Sequence, residues 1–218
     1  MNRSQLAIAQ MFLRAHLIAA ALFLGLTALL ITPAHADAPP SAAAAMNAVQ
    51  QTADSVIHEI AAQQAQVNKD PGALLDIVKK KLLPQVDTDR MSRLVLGRYW
   101  RTASAAQKTA FTDQFAQLLV RTYAGPLSKL GNQKITVTGT KPGADSDELV
   151  VQSVVSGGDM GSVPVDYRMA PVDGQWKAFD VVIDGISLIN NYRGSFAQAI
   201  QQKGLDSLIQ TMKSQNNG

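Results

Sequence analysis

Apolar positions repeat along this chain with two periods, and the changeover falls near residue 134. Before it the spacing is close to 3.6, as in helices packed on one face; after it an alternation by two marks half-buried strands. From about Met46 to Val67 an Ala/Gln-rich stretch holds few large apolar residues, so it reads as a helix packed shallowly on the outside. Asp70-Pro71-Gly72 is a start signal, with Asp as N-cap and proline at the first helical position. The helix it opens runs to about Leu83, with Leu74, Leu75, Val78 and Leu82 on one face. Lys79, Lys80 and Lys81 fall in its last turn, where cations suit the dipole, and Pro84 ends it. Asp87 caps the next helix, with Met91, Leu94, Val95 and Tyr99 turned inward. Ser104 and Gln107 have capping-box spacing and open the strongest helix, whose stripe is Phe111, Phe115, Leu118, Leu119 and Tyr123. Gly125-Pro126 should bend or break it, and Gly131 would cap its end.

Beyond Lys134 the runs are strands. Ile135 and Val137 alternate with threonines, Leu149 to Val155 is valine-rich, and Val163, Val165, Tyr167 and Met169 alternate with polar residues or proline. Trp176 to Ile183 is apolar on both faces. Turn signals at Lys141-Pro142-Gly143, Gly157-Gly158 and Asp173-Gly174 separate them, which predicts a four-strand antiparallel meander. A helical pair follows, Leu188–Lys203 and Leu205–Lys213, divided by Gly204. Helices, then strands, then helices make an α+β fold, with helices on one face of an antiparallel sheet.

The start of the chain changes the bookkeeping. Arg3 and Arg14 precede an uncharged run from Leu17 to Ile31, and Ala34-His35-Ala36 follows Pro33. This is the layout of a cleavable secretory signal, residues 1–36; the apolar run is shorter than the about 20 residues of a spanning helix. The mature part, 37–218, is expected to be a single domain with a loose leader over 37–45. Cleavage takes two arginines and lowers the net charge from +3 to +1, a poor fit to nucleic-acid binding, which wants a basic stripe. With no cysteine, disulfides, a lipid-anchoring thiol and a thiol nucleophile are excluded.

Candidate chemistry is sparse. His58 is the one histidine after residue 36, so zinc or copper sites of ordinary composition cannot be built. A Ser-His-Asp triad would have to use His58, yet no G-x-S-x-G elbow supplies its serine. Glu59 and Glu148 are the only glutamates. Asp145-x-Asp147-Glu148 lacks the length of a calcium loop, and Gly157-Gly158-Asp159-Met160-Gly161 has no G-K-[ST]. The residues predict no catalytic site, no metal and no cofactor.

Charge and greasy surface carry more information. Residues 79–129 hold ten Lys/Arg against three Asp, whereas 141–184 hold eight acids against three bases. Either this is ordinary solvated surface, or the basic helices face something anionic. The apolar faces fill a core, or they leave a cavity for an apolar ligand; periodicity does not separate the two.

Two segments resemble a known family. One is Gly97-Arg98-Tyr99-Trp100-Arg101 with Gln107, Phe111, Phe115, Leu118-Leu119 and Tyr123. The other is Trp176-Lys177-Ala178-Phe179-Asp180, then Gly185-Ile186-Ser187 and Asn191-Tyr192-Arg193. Together they resemble the MlaC family, the toluene-tolerance auxiliary proteins, over about residues 48–212. Phe179 stands where the family often has tyrosine.

The resemblance implies an NTF2-like cone, a sheet wrapped by helices around an apolar pocket. It implies a non-enzymatic periplasmic carrier, a monomer, shuttling phospholipid between outer and inner membranes as an auxiliary component of an ABC transport pathway that maintains outer-membrane lipid asymmetry. Its partners would be an outer-membrane lipoprotein–porin complex and the substrate-binding ring of an inner-membrane ABC transporter, with transient membrane proximity and no nucleic acid. A hopanoid or other apolar lipid is the alternative cargo, and an interaction module with a filled core the alternative role. On this reading Leu94, Val95, Phe111, Phe115, Leu119, Tyr123, Val165 and Tyr167 line the lipid pocket. Arg98, Arg101 and Arg193 serve the headgroup or a partner surface, unless they pair with Asp180 or another acid. Trp100 and Trp176 belong to the core.

Overall fold

A computed structural model of the chain describes residues 40–130, 133–157 and 161–217. The expected signal peptide, the Gly131 cap and most of the glycine-rich turn after Gly157 lie outside the described residues.

Helix α1 spans Ala42–Ala62, and the Ser41 hydroxyl caps it by accepting the Ala44 N–H. It therefore begins inside the stretch expected to be a loose leader. It is not shallow either: Ala45, Val49, Ala53, Val56 and Ile60 form one buried stripe. Two of those five are alanines, whose small side chains bring the backbone close to what they pack on while adding little to a hydropathy pattern. After a break at Gln63 come α2 (Gln64–Lys69) and α3 (Pro71–Ile77), the latter capped by Asp70 accepting the Gly72 N–H at 2.8 Å. The chain then widens into a π-helical turn, Val78–Leu82, where the Leu83 N–H reaches back five residues to the Val78 carbonyl. A 3₁₀ turn, Leu83–Gln85, completes the connection.

Asp87 accepts the Arg90 N–H at 2.9 Å and opens α4 (Thr88–Leu96). Gly97, at φ 54°, redirects the chain into the short α5 (Arg98–Thr102). Helix α6 (Ala105–Ser128) carries both halves of the Ser104/Gln107 capping box. It runs through Gly125-Pro126 without the expected break. Pro126 lies in the last turn, so the Thr122 carbonyl loses its i+4 donor but little helix follows for a kink to redirect. The Ser128 hydroxyl donates to the Gly125 carbonyl there at 2.8 Å.

Five strands, β1 (Lys134–Pro142), β2 (Leu149–Ser156), β3 (Ser162–Val172), β4 (Gln175–Ile183) and β5 (Ile186–Ser187), form one antiparallel sheet in sequential order. The expected meander of four lacked β5, two residues that fold back over Asp184-Gly185, both at positive φ. Two residues are too few to show a period. Asp173 and Gly174, also at positive φ, make the tight β3–β4 turn. The β3–β4 register slips beside Arg168, which pairs with Asp180 while Met169 pairs with Ala178, leaving Phe179 as a bulge. Helices α7 (Leu188–Lys203) and α8 (Leu205–Asn217) close the chain, split by Gly204 at φ 83°.

Among the described residues three apolar clusters hold these layers. The first joins α4, α6, α7 and α8 to Phe179 and centres on Phe111, Phe115 and Phe196. Phe111 stacks on Phe115 at 5.6 Å, and Phe196 meets both edge-on at 5.8 and 5.9 Å. The second gathers Val56 and Ile60 of α1 with Leu74, Ile77, Val78 and Val120. The third seats Ala45 and Val49 on Val151, Met169, Trp176 and Ala178 of the sheet.

Candidate functional site

The second and third clusters do not meet flush. Val49, Val56, Val78, Val120, Met169 and Trp176, drawn from both, share the wall of a cavity of about 320 Å³, within the range of small-ligand sites. Helix α1 also supplies Ala48 and Ala53, and α6 supplies Ala116, Leu119, Tyr123 and Leu127. Leu82 and Leu83 come from the π and 3₁₀ turns. The sheet contributes Ile135, Val155, Val163, Val165, Tyr167 and Val181. Alanines in the helical walls hold the layers together while leaving volume unfilled.

Two of the polar groups on the wall, Asp180 and the Trp176 indole, are committed to partners. Asp180, fully buried, is the one carboxylate among the described lining residues. It accepts the Ser187 hydroxyl at 2.6 Å and the Ile189 N–H at 3.2 Å, with Arg168 at 3.7 Å. The Trp176 indole N–H is shared between the Pro40 and Ser41 carbonyls at 3.1 Å each, which ties the start of α1 to β4. Burial raises the Tyr167 hydroxyl above its ordinary pKa, with a hydrogen bond to Ser153 acting in the opposite sense. Burial, with Tyr192 adding to it, raises Tyr123 as well. Both phenols are therefore neutral at physiological pH, and the wall favours apolar cargo over ions.

Of the residues expected at a pocket, Leu119, Tyr123, Val165 and Tyr167 stand on this wall. Leu94, Val95, Phe111 and Phe115 do not; they pack in or against the first cluster. The reason is rotation along α6. At about 100° per residue, Tyr123 points about 120° away from Phe111. What looked like one stripe is two faces, an aromatic one set in the core and a second one, Ala116, Leu119, Val120 and Tyr123, on the cavity. Arg98, Arg101 and Arg193 are exposed and do not line this cavity. Arg98 donates to the Tyr99 hydroxyl at 2.8 Å, and Arg193 lies over Gly97. Trp100 packs against the first cluster; Trp176 is both buried and on the wall.

The partner of Asp180 is Arg168, which the sequence pattern did not single out. It sits in an ion network beside the bulge. Arg90 binds the buried Glu148, and Arg168 approaches Glu148 and Asp180, each at 3.7 Å. Both guanidiniums lie over the Phe179 ring, at 3.9 and 5.0 Å. Part of the acid surplus of 141–184 is thus neutralised inside the fold. The wall residues of α1 and of the π turn were also missed, because alanine and lysine dominate those stretches.

His58 is exposed on α1, away from the cavity wall. Among the described residues no group of His, Cys, Asp and Glu is placed to hold a metal ion, and no helix is long and apolar enough to cross a membrane.

Known proteins are similar to this chain in sequence and fold. A family model described as MlaC protein matches residues 50–214. The intermembrane phospholipid transport system binding protein MlaC of Haemophilus influenzae is 29% identical over 168 residues, which covers 76% of this chain and 78% of that protein. The toluene tolerance protein ttg2D of Pseudomonas putida is 31% identical over 159 residues, 72% of this chain and 74% of the relative. A solved phospholipid-binding protein of Ralstonia solanacearum, in complex with a phospholipid, superposes with a TM-score of 0.73 at 29% identity, covering 79% of this chain and 97% of its own.

Proposed function

The chain belongs to the MlaC family, and from that premise we propose that it is a phospholipid carrier of the periplasm, holding acyl chains in the cavity between α1, α6 and the sheet. The observation that carries this reading is the cavity itself, about 320 Å³ with an almost wholly apolar wall. A filled-core interaction module has no use for such a space. Sequestering a methylene from water gains about 0.8 kcal/mol, and a bilayer offers the same. A carrier need only match the membrane to exchange cargo, and it needs no reactive group, which suits a wall whose one carboxylate among the described residues is committed to Ser187, Ile189 and Arg168. The phospholipid bound to the Ralstonia relative supports the choice of cargo.

In this reading the protein is non-enzymatic and exported. It moves lipid between an outer-membrane lipoprotein–porin complex and the substrate-binding ring of an inner-membrane ABC transporter. The test is extraction of the natively purified protein followed by mass spectrometry. Stoichiometric phospholipid is the expected result. Repeated preparations free of lipid overturn the proposal, and a terpenoid lipid in its place reassigns the cargo.

A further inference from the structure

A second hollow, of about 500 Å³, adjoins the cavity. Ala48, Thr52, Gln85 and Trp176 line both spaces, so the two share a wall. Their chemistry differs. The cavity is apolar, whereas the cleft is bordered by the polar side chains of Gln51, Ser55, Gln85 and Gln175, and by Lys80 and Lys81. No carboxylate is among the described residues lining it. Neither lysine takes part in an ion pair among the described residues, and both are exposed.

The backbone explains how one short segment serves two spaces. The π turn, Val78–Leu82, sets Val78 and Leu82 on the cavity wall and Lys80 and Lys81 on the cleft. Such widened turns are frequent at functional sites. A cation pair next to an apolar hollow matches a molecule with a greasy part and an anionic part joined end to end. A phosphodiester keeps its charge at every physiological pH and stays hydrated, so it belongs in an open, amide-lined cleft rather than against valines.

We propose that Lys80 and Lys81 receive the phosphate of the lipid whose chains occupy the cavity, so that the cleft selects phosphate-bearing lipids over neutral ones with the same tails. The assignment rests on the carrier reading above. Two lysines near an anionic group shift the equilibrium about tenfold or more.

The experiment loads the mature protein from detergent micelles holding equal amounts of phosphatidylglycerol and diacylglycerol of identical chains. Native mass spectrometry then reads the ratio bound. Wild-type protein favours phosphatidylglycerol. The Lys80→Gln/Lys81→Gln variant loses about tenfold in that ratio while still taking diacylglycerol, which shows that its cavity is intact. Lys80→Arg/Lys81→Arg keeps the wild-type ratio, as does Lys69→Gln/Lys203→Gln, which removes equal charge from exposed positions elsewhere. An unchanged ratio in the Lys80/Lys81 glutamine variant overturns the assignment and leaves the carrier reading intact. Wild-type protein that takes neither lipid overturns the carrier reading itself. Titration with inorganic phosphate separates the other source of the same chemistry: saturable binding that vanishes in the glutamine variant, together with an unchanged lipid ratio in that variant, assigns the cleft to a free anion, against the proposal.

Discussion

Replacing Ala53 by leucine adds carbon to the cavity from the wall that α1 supplies. Ala53 is 8% exposed and borders the hollow directly, so the new side chain competes with cargo for one volume. Leucine displaces about three methylene equivalents of acyl chain at about 0.8 kcal/mol each, which weakens lipid binding by about 2.4 kcal/mol, or about sixtyfold. In cargo-free protein the sign reverses. The same carbons leave water for an unfilled apolar space, a gain of about 1–2 kcal/mol after repacking strain, and Tm rises by about 2–8 °C. Retention of a labelled phospholipid during competition with vesicles measures the first effect, and melting of delipidated protein the second. Opposite movement of the two is the signature. Wild-type retention with a raised Tm places the cargo elsewhere; loss of both shows a wall already full, and either result refutes the reasoning.

Other perturbations probe the frame around the cavity. Glu148→Gln strips Arg90 of its buried partner and should cost about 2–4 kcal/mol in denaturant unfolding. Gly143→Ala drives a Cβ into the Glu148 Cβ and should destabilise by about 2 kcal/mol or more. Because both act through Glu148, their double variant should lose less than the sum of the single losses. Tyr167 is held protonated by burial above its ordinary pKa of 10.0, so the unfolded chain ionises first. Stability should fall as pH rises through about 10, and Tyr167→Phe should flatten that alkaline decline, as followed by phenolate absorbance and unfolding.

Local chemistry was the most legible part of the fold. Asp70, Asp87 and Ser104 each cap the helix that their side chains announce, because a cap is settled within three residues. Two of the four long strands follow from alternation, and the other two from apolar runs bounded by turn signals. Features set by distant neighbours were not readable. The Phe179 bulge and the Arg168–Asp180 contact depend on the register of β3 against β4, and the π turn on which carbonyl the Leu83 N–H selects. The site was half legible for a geometric reason. Stripe counting groups residues up to 140° apart on α6, enough to merge the face that packs with the face that borders a void. Alanines hid α1 in the same way, since a small residue reads as weakly buried although smallness is what makes room.

The two tryptophans occupy different surroundings, Trp176 on the cavity wall and Trp100 against the aromatic cluster. The chain thereby contains its own optical gauge. Bromine atoms placed along an acyl chain would quench Trp176 and leave Trp100 bright, and the depth of quenching at each bromine position would measure how far the chain has been drawn in. Trp100→Phe would leave that single emitter, letting the filling and emptying of the molecule be timed without any attached dye.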